Sequence, residues 1–250
     1  MTTFLVTGAT GRIGVPTTTQ LRAAGHDVRA LSRRGGPGLV TGDLLVGLDP
    51  TILDDVDMII HLATTNGPKD IRVAENLFRA ASAAGVPHVV LLSIVGIDSI
   101  PMGFYKQRVE IENIALRSGV PLTLQRATQF HPFVEAMFTA QRFTPVFVSP
   151  SIRFQPIATD EVAARLVDLA AGAPAGRVDD IGGPEQRTAA DLLDAWKQAT
   201  QRHRPRIPLR LPGKLFTAFA AGENLVPGPG FGSQTFEQYL AEKYQTVHQH

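Results

Sequence analysis

The chain has 250 residues, 44% of them hydrophobic, which is enough for one sizeable α/β domain and too apolar for wholesale disorder. A formal net charge of +1 gives no general pull toward nucleic acid or acidic membranes. The absence of cysteine excludes disulfides, thiolate zinc sites and a cysteine nucleophile.

The first element is an apolar run suited to a buried parallel strand, Thr3–Thr7. It begins within a few residues of Met1, leaving no room for a signal peptide, and no apolar run approaches the ~20 residues of a membrane span. A cytoplasmic protein is expected. Glycines follow at Gly8, Gly11 and Gly14, spaced Gly-x-x-Gly-x-x-Gly, and a helical pattern opens over Val15–Ala24. Strand, glycine turn and helix start together form a dinucleotide-phosphate site, where helix N-terminal amides face the anion and glycine permits its close approach. Gly8, Thr10, Gly11, Arg12 and Ile13 are the candidate phosphate-binding residues.

A second strand is expected at Asp27–Ser32 and ends Leu31-Ser32-Arg33-Arg34. Binding of NAD usually calls for an acidic residue here to hold the ribose hydroxyls. Two arginines stand in its place, and a guanidinium makes charge-assisted bonds to phosphate. The cofactor expected is therefore NADPH/NADP, with Arg33 at its 2′-phosphate and Ser32 a further cofactor contact; the other reading makes Arg33 and Arg34 exposed loop charges. A short run at Leu39–Thr41 leads to Asp43-Leu44, for which two readings stand: an adenine contact or a plain surface turn.

Strands at Met58–Leu62, His88–Ser93 and Leu122–Arg126 alternate with helices at Asp70–Ala84 and Tyr105–Ser118. The stops fall at Gly25, Gly85-Val86-Pro87 and Gly119-Val120-Pro121. The alternation implies βαβ units, a doubly wound parallel sheet, and ligands beyond the carboxyl ends of the strands. Ala63 and Thr64, Ser93, and Thr128 end the successive strands and are candidate contacts to the cofactor or its reactive end.

The last third differs. Pro145–Pro156 carries short extended pieces, and helices are expected at Asp160–Ala171, Thr188–Thr200, Lys214–Ala221 and Ser233–Tyr244. The basic run Arg202-His203-Arg204-Pro205-Arg206 reads as a solvated loop, and the seven scattered histidines give no metal site. Most phenylalanines lie after Phe104, and two readings stand: ordinary core, or an aromatic-walled pocket under Lys214–Ala221 formed by Phe104, Phe130, His131 and Phe133. A single Rossmann-type domain over 1–250 is expected, its substrate-binding lobe formed by 130–156 and 183–250. Helices flanking the sheet offer a surface for a homodimer.

The chain resembles the short-chain dehydrogenase/reductase superfamily, and most of all its atypical NmrA-like branch. The resemblance is carried by Thr7-Gly8-Ala9-Thr10-Gly11-Arg12-Ile13-Gly14, Leu31-Ser32-Arg33, Asp43-Leu44, Glu75-Asn76-Leu77, Ser93-Ile94-Val95-Gly96, Arg126-Ala127-Thr128-Gln129-Phe130, the Gln155–Ala163 stretch and Gly182-Gly183-Pro184-Glu185. It runs in order from about Thr3 to Leu193 and implies a Rossmann-type domain, NADP(H) and a small C-terminal substrate region.

One departure bears on chemistry. Reductases of this superfamily typically carry Tyr-x-x-x-Lys on the helix after the Ser93 strand. Here that helix reads Phe104-Tyr105-Lys106-Gln107-Arg108, with Phe104 in the tyrosine place and Arg108 in the lysine place. Phenylalanine donates no proton, and arginine does not titrate. Ser93 and the neighbouring Tyr105 are the remaining catalytic candidates. Two functions are therefore open: an NADPH-dependent reductase of an apolar, aromatic, polyketide-like carbonyl or quinone, and a non-catalytic NmrA-like sensor of NADP(H).

Overall fold

The computed structural model describes residues 1–210 and 212–245. Its elements in chain order are β1 (Thr3–Thr7), α1 (Gly14–Ala23), β2 (Asp27–Ser32), β3 (Leu39–Thr41), β4 (Met58–His61), α2 (Lys69–Ala83), β5 (His88–Ile94), α3 (Gly103–Arg117) and β6 (Leu122–Ala127). Then come α4 (His131–Thr139), β7 (Phe147–Pro150), β8 (Arg153–Phe154), α5 (Thr159–Ala171), β9 (Gly176–Arg177), β10 (Arg187–Thr188), α6 (Ala189–Ala199), β11 (Arg206–Leu209), α7 (Lys214–Ala221) and α8 (Phe236–Gln245). His248 and His250 lie outside the described residues.

The chain forms two compact units. The first comprises Met1–Ile94, Gly103–Arg126 and Thr159–Asp179; the second comprises Val95–Met102, Ala127–Ala158 and Asp180–His250.

In the first unit a seven-stranded parallel sheet runs β3-β2-β1-β4-β5-β6-β9. The expected doubly wound Rossmann sheet is present. Its interior strands are apolar because helices cover them: Leu5, Ile59, Val89 and Leu124 join Leu77 and Phe78 of α2 in one buried cluster. α1 packs on α5, and α2 on α3. The chain leaves β1 for β2 on one side and reaches β4 on the other, so the order reverses between β1 and β4. At such a switch point the crossovers diverge and leave a crevice beyond the strand ends. β9 was not foreseen: it has two exposed residues and no apolar run to announce it.

The second unit has its own core. Phe138, Phe147, Phe154, Trp196 and Phe236 bury one another, which assigns these four phenylalanines to packing rather than to a pocket wall. α4 has no counterpart among the expected helices: Pro132 sits in its first turn, where a missing N–H costs nothing, and Val134 and Phe138 are buried. α6 begins with a capping box between Thr188 and Asp191. The basic run is, as expected, a largely exposed loop up to Pro205, with only Arg204 half-buried. Arg206 lies in β11, parallel to β7. The Arg204 guanidinium bonds the Gln141 and Thr144 carbonyls and stacks on Phe147, and Arg202 covers Trp196. α7 has no buried residue.

The buried Glu135 carboxylate ties α8 to α4. It accepts from Tyr239 Oη at 2.5 Å, Lys243 Nζ at 2.6 Å and Tyr244 Oη. Desolvation of Glu135 is offset by these donors, which hold its pKa below the usual range. Glu135→Gln keeps the shape, but its amide nitrogen presents a donor to donors. The expected loss is ~1–3 kcal/mol of unfolding free energy, read as a lower urea midpoint at neutral pH.

Candidate functional site

The site grows from the β1–α1 turn. Gly8 has φ +67°, and a Cβ there would come within 2.7 Å of the Leu62 carbonyl carbon and oxygen. The first glycine therefore lets the turn lie against the end of β4. A Cβ on Gly14 would collide with Gly8 and Ala9 backbone, so the third glycine lets α1 begin directly under the turn. Gly11 is exposed, a Cβ there would press on Gly8 O at 3.1 Å, and its N–H donates to that oxygen at 2.9 Å. α1 has no side-chain cap and no acid in its first turn, leaving its amide dipoles directed at the turn.

A cavity of about 530 Å³ opens beside this turn. Gly8, Thr10 and Gly11 form one wall, Ser32, Arg33 and Arg34 the end of β2, Asp43 and Leu44 a third side, and Ala63 and Thr64 the end of β4. Nine residues read from the sequence as cofactor contacts thus meet in one cavity of the first unit: Gly8, Thr10, Gly11, Ser32, Arg33, Asp43, Leu44, Ala63 and Thr64. Arg12 is exposed but outside the lining, and the Ile13 side chain is buried in the core, so only its backbone remains for a ligand. The Arg33 and Arg34 guanidinium groups line the cavity and make no ion pair among the described residues. Asp43 Oδ1 accepts the Leu45 N–H at 2.9 Å, an Asx turn that shapes the loop.

Three residues not read as site residues hold the walls. Asp70, 2% exposed at the start of α2, gathers the β4–α2 turn: its carboxylate accepts from Thr65 N–H, from Thr65 Oγ1 at 2.6 Å and from Thr64 Oγ1 at 2.6 Å. Arg108 Nη2 completes the knot, 2.6 Å from Asp70 and 2.7 Å from Thr64 Oγ1. Asn76 Nδ2 donates to Leu44 O at 2.7 Å, fixing the opposite loop to α2. Only the Glu75-Asn76-Leu77 resemblance marked Asn76. Asp70 and Arg108 sit 38 residues apart with no local pattern to pair them.

Below the knot, Thr7 Oγ1 accepts from Leu62 N–H at 3.1 Å and Ala63 N–H at 3.2 Å. Its own proton goes to His61 Nδ1, 2.7 Å away, which makes His61 a neutral Nε2–H tautomer. Burial, then the Arg108 charge, lowers the His61 pKa to about 4.

The catalytic candidates also lie in the first unit. Ser93 is 4% exposed, and its Oγ has no hydrogen-bond partner among the described residues. Phe104 is half-buried with the Arg108 guanidinium 4.8 Å from its ring centre. Tyr105 is buried, and burial pushes its hydroxyl pKa above the usual tyrosine value.

The remaining candidates belong to the second unit, and two need correction. Thr128 is buried with both donors spent: its N–H on Ile181 O at 3.0 Å and its hydroxyl on Gln155 O at 2.5 Å. Its N–H and hydroxyl are not free for a cofactor. His131 is 1% exposed, stacked on Tyr239 at 5.2 Å, with Nε2 on Gln234 O at 3.1 Å. It is a packed histidine of the α4–α8 contact, not a pocket wall. Phe130 is half-buried and Phe133 is 52% exposed. Among the described residues no group of acids and histidines could hold a metal, and no helix is long and apolar enough to cross a membrane.

Known proteins resemble this chain in sequence and in fold. The profile of the NmrA-like family matches residues 1–183. A (4-alkanoyl-5-oxo-2,5-dihydrofuran-3-yl)methyl phosphate reductase of Streptomyces griseus is 33% identical over 204 residues, covering 75% of this chain and 70% of that protein. A chloroplastic divinyl chlorophyllide a 8-vinyl-reductase of Oryza sativa is 29% identical over 73% of this chain, which spans only 55% of the rice protein. Among solved structures, an Escherichia coli NADPH-dependent quinone oxidoreductase bound to NADPH aligns with TM-score 0.74 at 18% identity, covering 96% of this chain and 99% of that one. A short-chain dehydrogenase/reductase superfamily protein of Agrobacterium tumefaciens with bound NAD gives 0.72 at 19%, covering 99% and 97%. At these identities the structures share the fold.

The His61 ring generates a pH prediction. Below pH 6.5 the unfolded chain protonates this ring, while the folded chain refuses the proton until about 4. Stability is therefore fully present above 6.5 and falls as pH drops from 6.5 to 4, by up to about 3 kcal/mol from this group. His88, its pKa lowered by burial, acts in the same direction. Denaturant unfolding across that interval should show the decline, and His61→Gln should make it shallower by one proton's worth of slope.

Proposed function

We propose that this chain, which belongs to the NmrA-like family, is an NADP(H)-dependent reductase of an apolar carbonyl compound or quinone that works without the Tyr-x-x-x-Lys pair. The observation that carries this reading is the cavity beside the glycine turn, with two unpaired guanidinium groups at the end of β2. The relatives support the reaction type, since both curated relatives are reductases by name and a structural neighbour is an NADPH-dependent quinone oxidoreductase.

The residues fit the cofactor. Gly8 and Gly11 leave backbone uncovered where a pyrophosphate would lie, and the uncapped start of α1 offers it amides. Arg33 supplies the bidentate charge a 2′-phosphate takes. Leu44, held by Asn76, gives an apolar face for adenine. When bound, the cofactor supplies a hydride. The chain's residues orient it: Thr64 and Thr65, fixed by Asp70 and Arg108, hold one wall at constant distance from the glycine turn.

A second reading is a sensor of the NADP/NADPH ratio, favoured by Phe104 and Arg108 in the tyrosine and lysine places. The two separate by titration and turnover. A sensor binds the oxidised and reduced forms with clearly different affinity and oxidises no acceptor, whereas the reductase turns over NADPH steadily. For the cofactor itself, Arg33→Ala should weaken NADPH binding about 10- to 100-fold, the value of a charge-assisted phosphate contact, and leave NADH nearly unchanged. Fluorescence titration with each cofactor checks this, and equal losses would remove Arg33 from the phosphate site.

A further inference from the structure

The near-zero net charge of the chain conceals an asymmetry. Residues 195–222 hold six of the 24 lysines and arginines and none of the 23 acids. In the middle of this stretch lies β11, parallel to β7 in a two-stranded ribbon. Side chains alternate across a strand, so the ribbon has two faces. Phe147 and Ser149 of β7 are buried and turn one face into the second unit, with Arg206 in register beside Phe147. The opposite face consists of Val148 and Pro150 from β7 and Ile207 and Leu209 from β11. A face turned away from its core is ordinarily polar. This one is apolar throughout, its side chains are only partly covered, and Ile207 is 50% exposed.

The turn before β7 is fastened to the same ribbon. Gln141 holds both backbone groups of Val148, accepting its N–H at 2.8 Å and donating to its carbonyl at 3.2 Å. That turn carries Phe143, 85% exposed, with the Arg142 guanidinium 4.5 Å from its ring centre. Arg204, just ahead of β11, reaches the Gln141 and Thr144 carbonyls of this turn. The cations around the ribbon are sparsely compensated. Asp194 of α6 is shared by Lys197 and Arg206 at 3.7 and 3.8 Å, one acid for two cations. Arg210 and Lys214 are exposed and make no ion pair among the described residues.

Apolar side chains rimmed by cations match the headgroup layer of an anionic bilayer, where phosphates take the cations and the acyl boundary takes the apolar groups. A nucleic-acid backbone would satisfy the cations but leave Val148 and Ile207 in water. We infer that the second unit docks on anionic phospholipid membranes through the outer face of the β7–β11 ribbon, with Phe143 and Ile207 seated at the headgroup–acyl boundary. Apolar acceptors of the class proposed above concentrate in the same bilayer, but the docking does not rest on the reductase reading.

The test is flotation of the full chain with vesicles of phosphatidylcholine alone and of phosphatidylcholine with about 40% phosphatidylglycerol. The chain should float with the anionic vesicles at about 0.1 M salt and not with the neutral ones. It should be released at about 1 M, where the Debye length falls from about 10 to 3 Å. Arg210→Gln with Lys214→Gln should weaken the partition about fivefold per charge, roughly 25-fold together. Phe143→Ser with Ile207→Ser should weaken it at least about tenfold and keep the salt dependence. Circular dichroism and NADPH titration of each variant should be unchanged, because these exposed residues lie outside the core and the cofactor cavity. Equal binding to both vesicles, binding to neither, or anionic binding that survives both double substitutions overturns the inference. Retention on a DNA duplex in place of vesicles, indifferent to Phe143→Ser with Ile207→Ser, overturns it in favour of nucleic acid. A dimer in sedimentation that the same two substitutions dissolve, without vesicle binding, overturns it in favour of a second copy. The cofactor titration and turnover assays are read separately, so the reductase reading stands or falls apart from these outcomes.

Discussion

A carboxylate taken out of water has to be surrounded by donors, and Asp70 is surrounded by the parts of the first unit that must stay in register. Its partners are a backbone amide, two threonine hydroxyls and a guanidinium. They come from the turn after β4 and from α3, while Asp70 itself belongs to the start of α2. Asp70 also lies in the first turn of α2, where the helix dipole favours negative charge. Removing any one donor leaves the remaining charge less compensated, so the three segments are held as a group. The cavity depends on that group, because Thr64 and Thr65 are both its wall and two of the donors.

The glycine turn works against the same wall from the other side. Gly8 touches the Leu62–Ala63 backbone only because it has no Cβ, and Thr7 beneath it receives the amides of those two residues. The polar groups at the end of β4 are therefore satisfied by β1 below and by α2 and α3 above. A strand end with its amides already paired can be left facing a cavity without cost.

What the sequence could disclose divides along physical lines. Backbone requirements are local and leave a residue signature. The three glycines, the helix stops and the arginines after β2 were legible because each follows from a conformation or a charge at one position. Side-chain meetings across long separations leave none. Asp70 looks like any helix-starting acid, and Arg108 like a lysine replacement whose charge would face the ligand; the pairing turns it to the turn instead. Aromatic residues were ambiguous for another reason. Phe138, Phe147, Phe154 and Phe236 bury the same area whether a pocket or a core surrounds them, and only the position of Trp196 makes them core. His131 follows the same logic, its stacking partner Tyr239 lying 108 residues further along. α4 was not foreseen; its Pro132 stands in the first turn, where proline is permissive.

α2 carries two of these anchors on one rigid rod. Asp70 in its first turn holds the Thr64–Thr65 wall, and Asn76, less than two turns on, holds the carbonyls of Leu44 and Leu45. Opposite margins of the cavity are therefore fastened to a single body about 22 Å long by helical rise. A slide or roll of that body cannot widen one margin while leaving the other in place. Opening and closing, where they occur, are one mechanical coordinate, and a ligand that tightens either margin stiffens both.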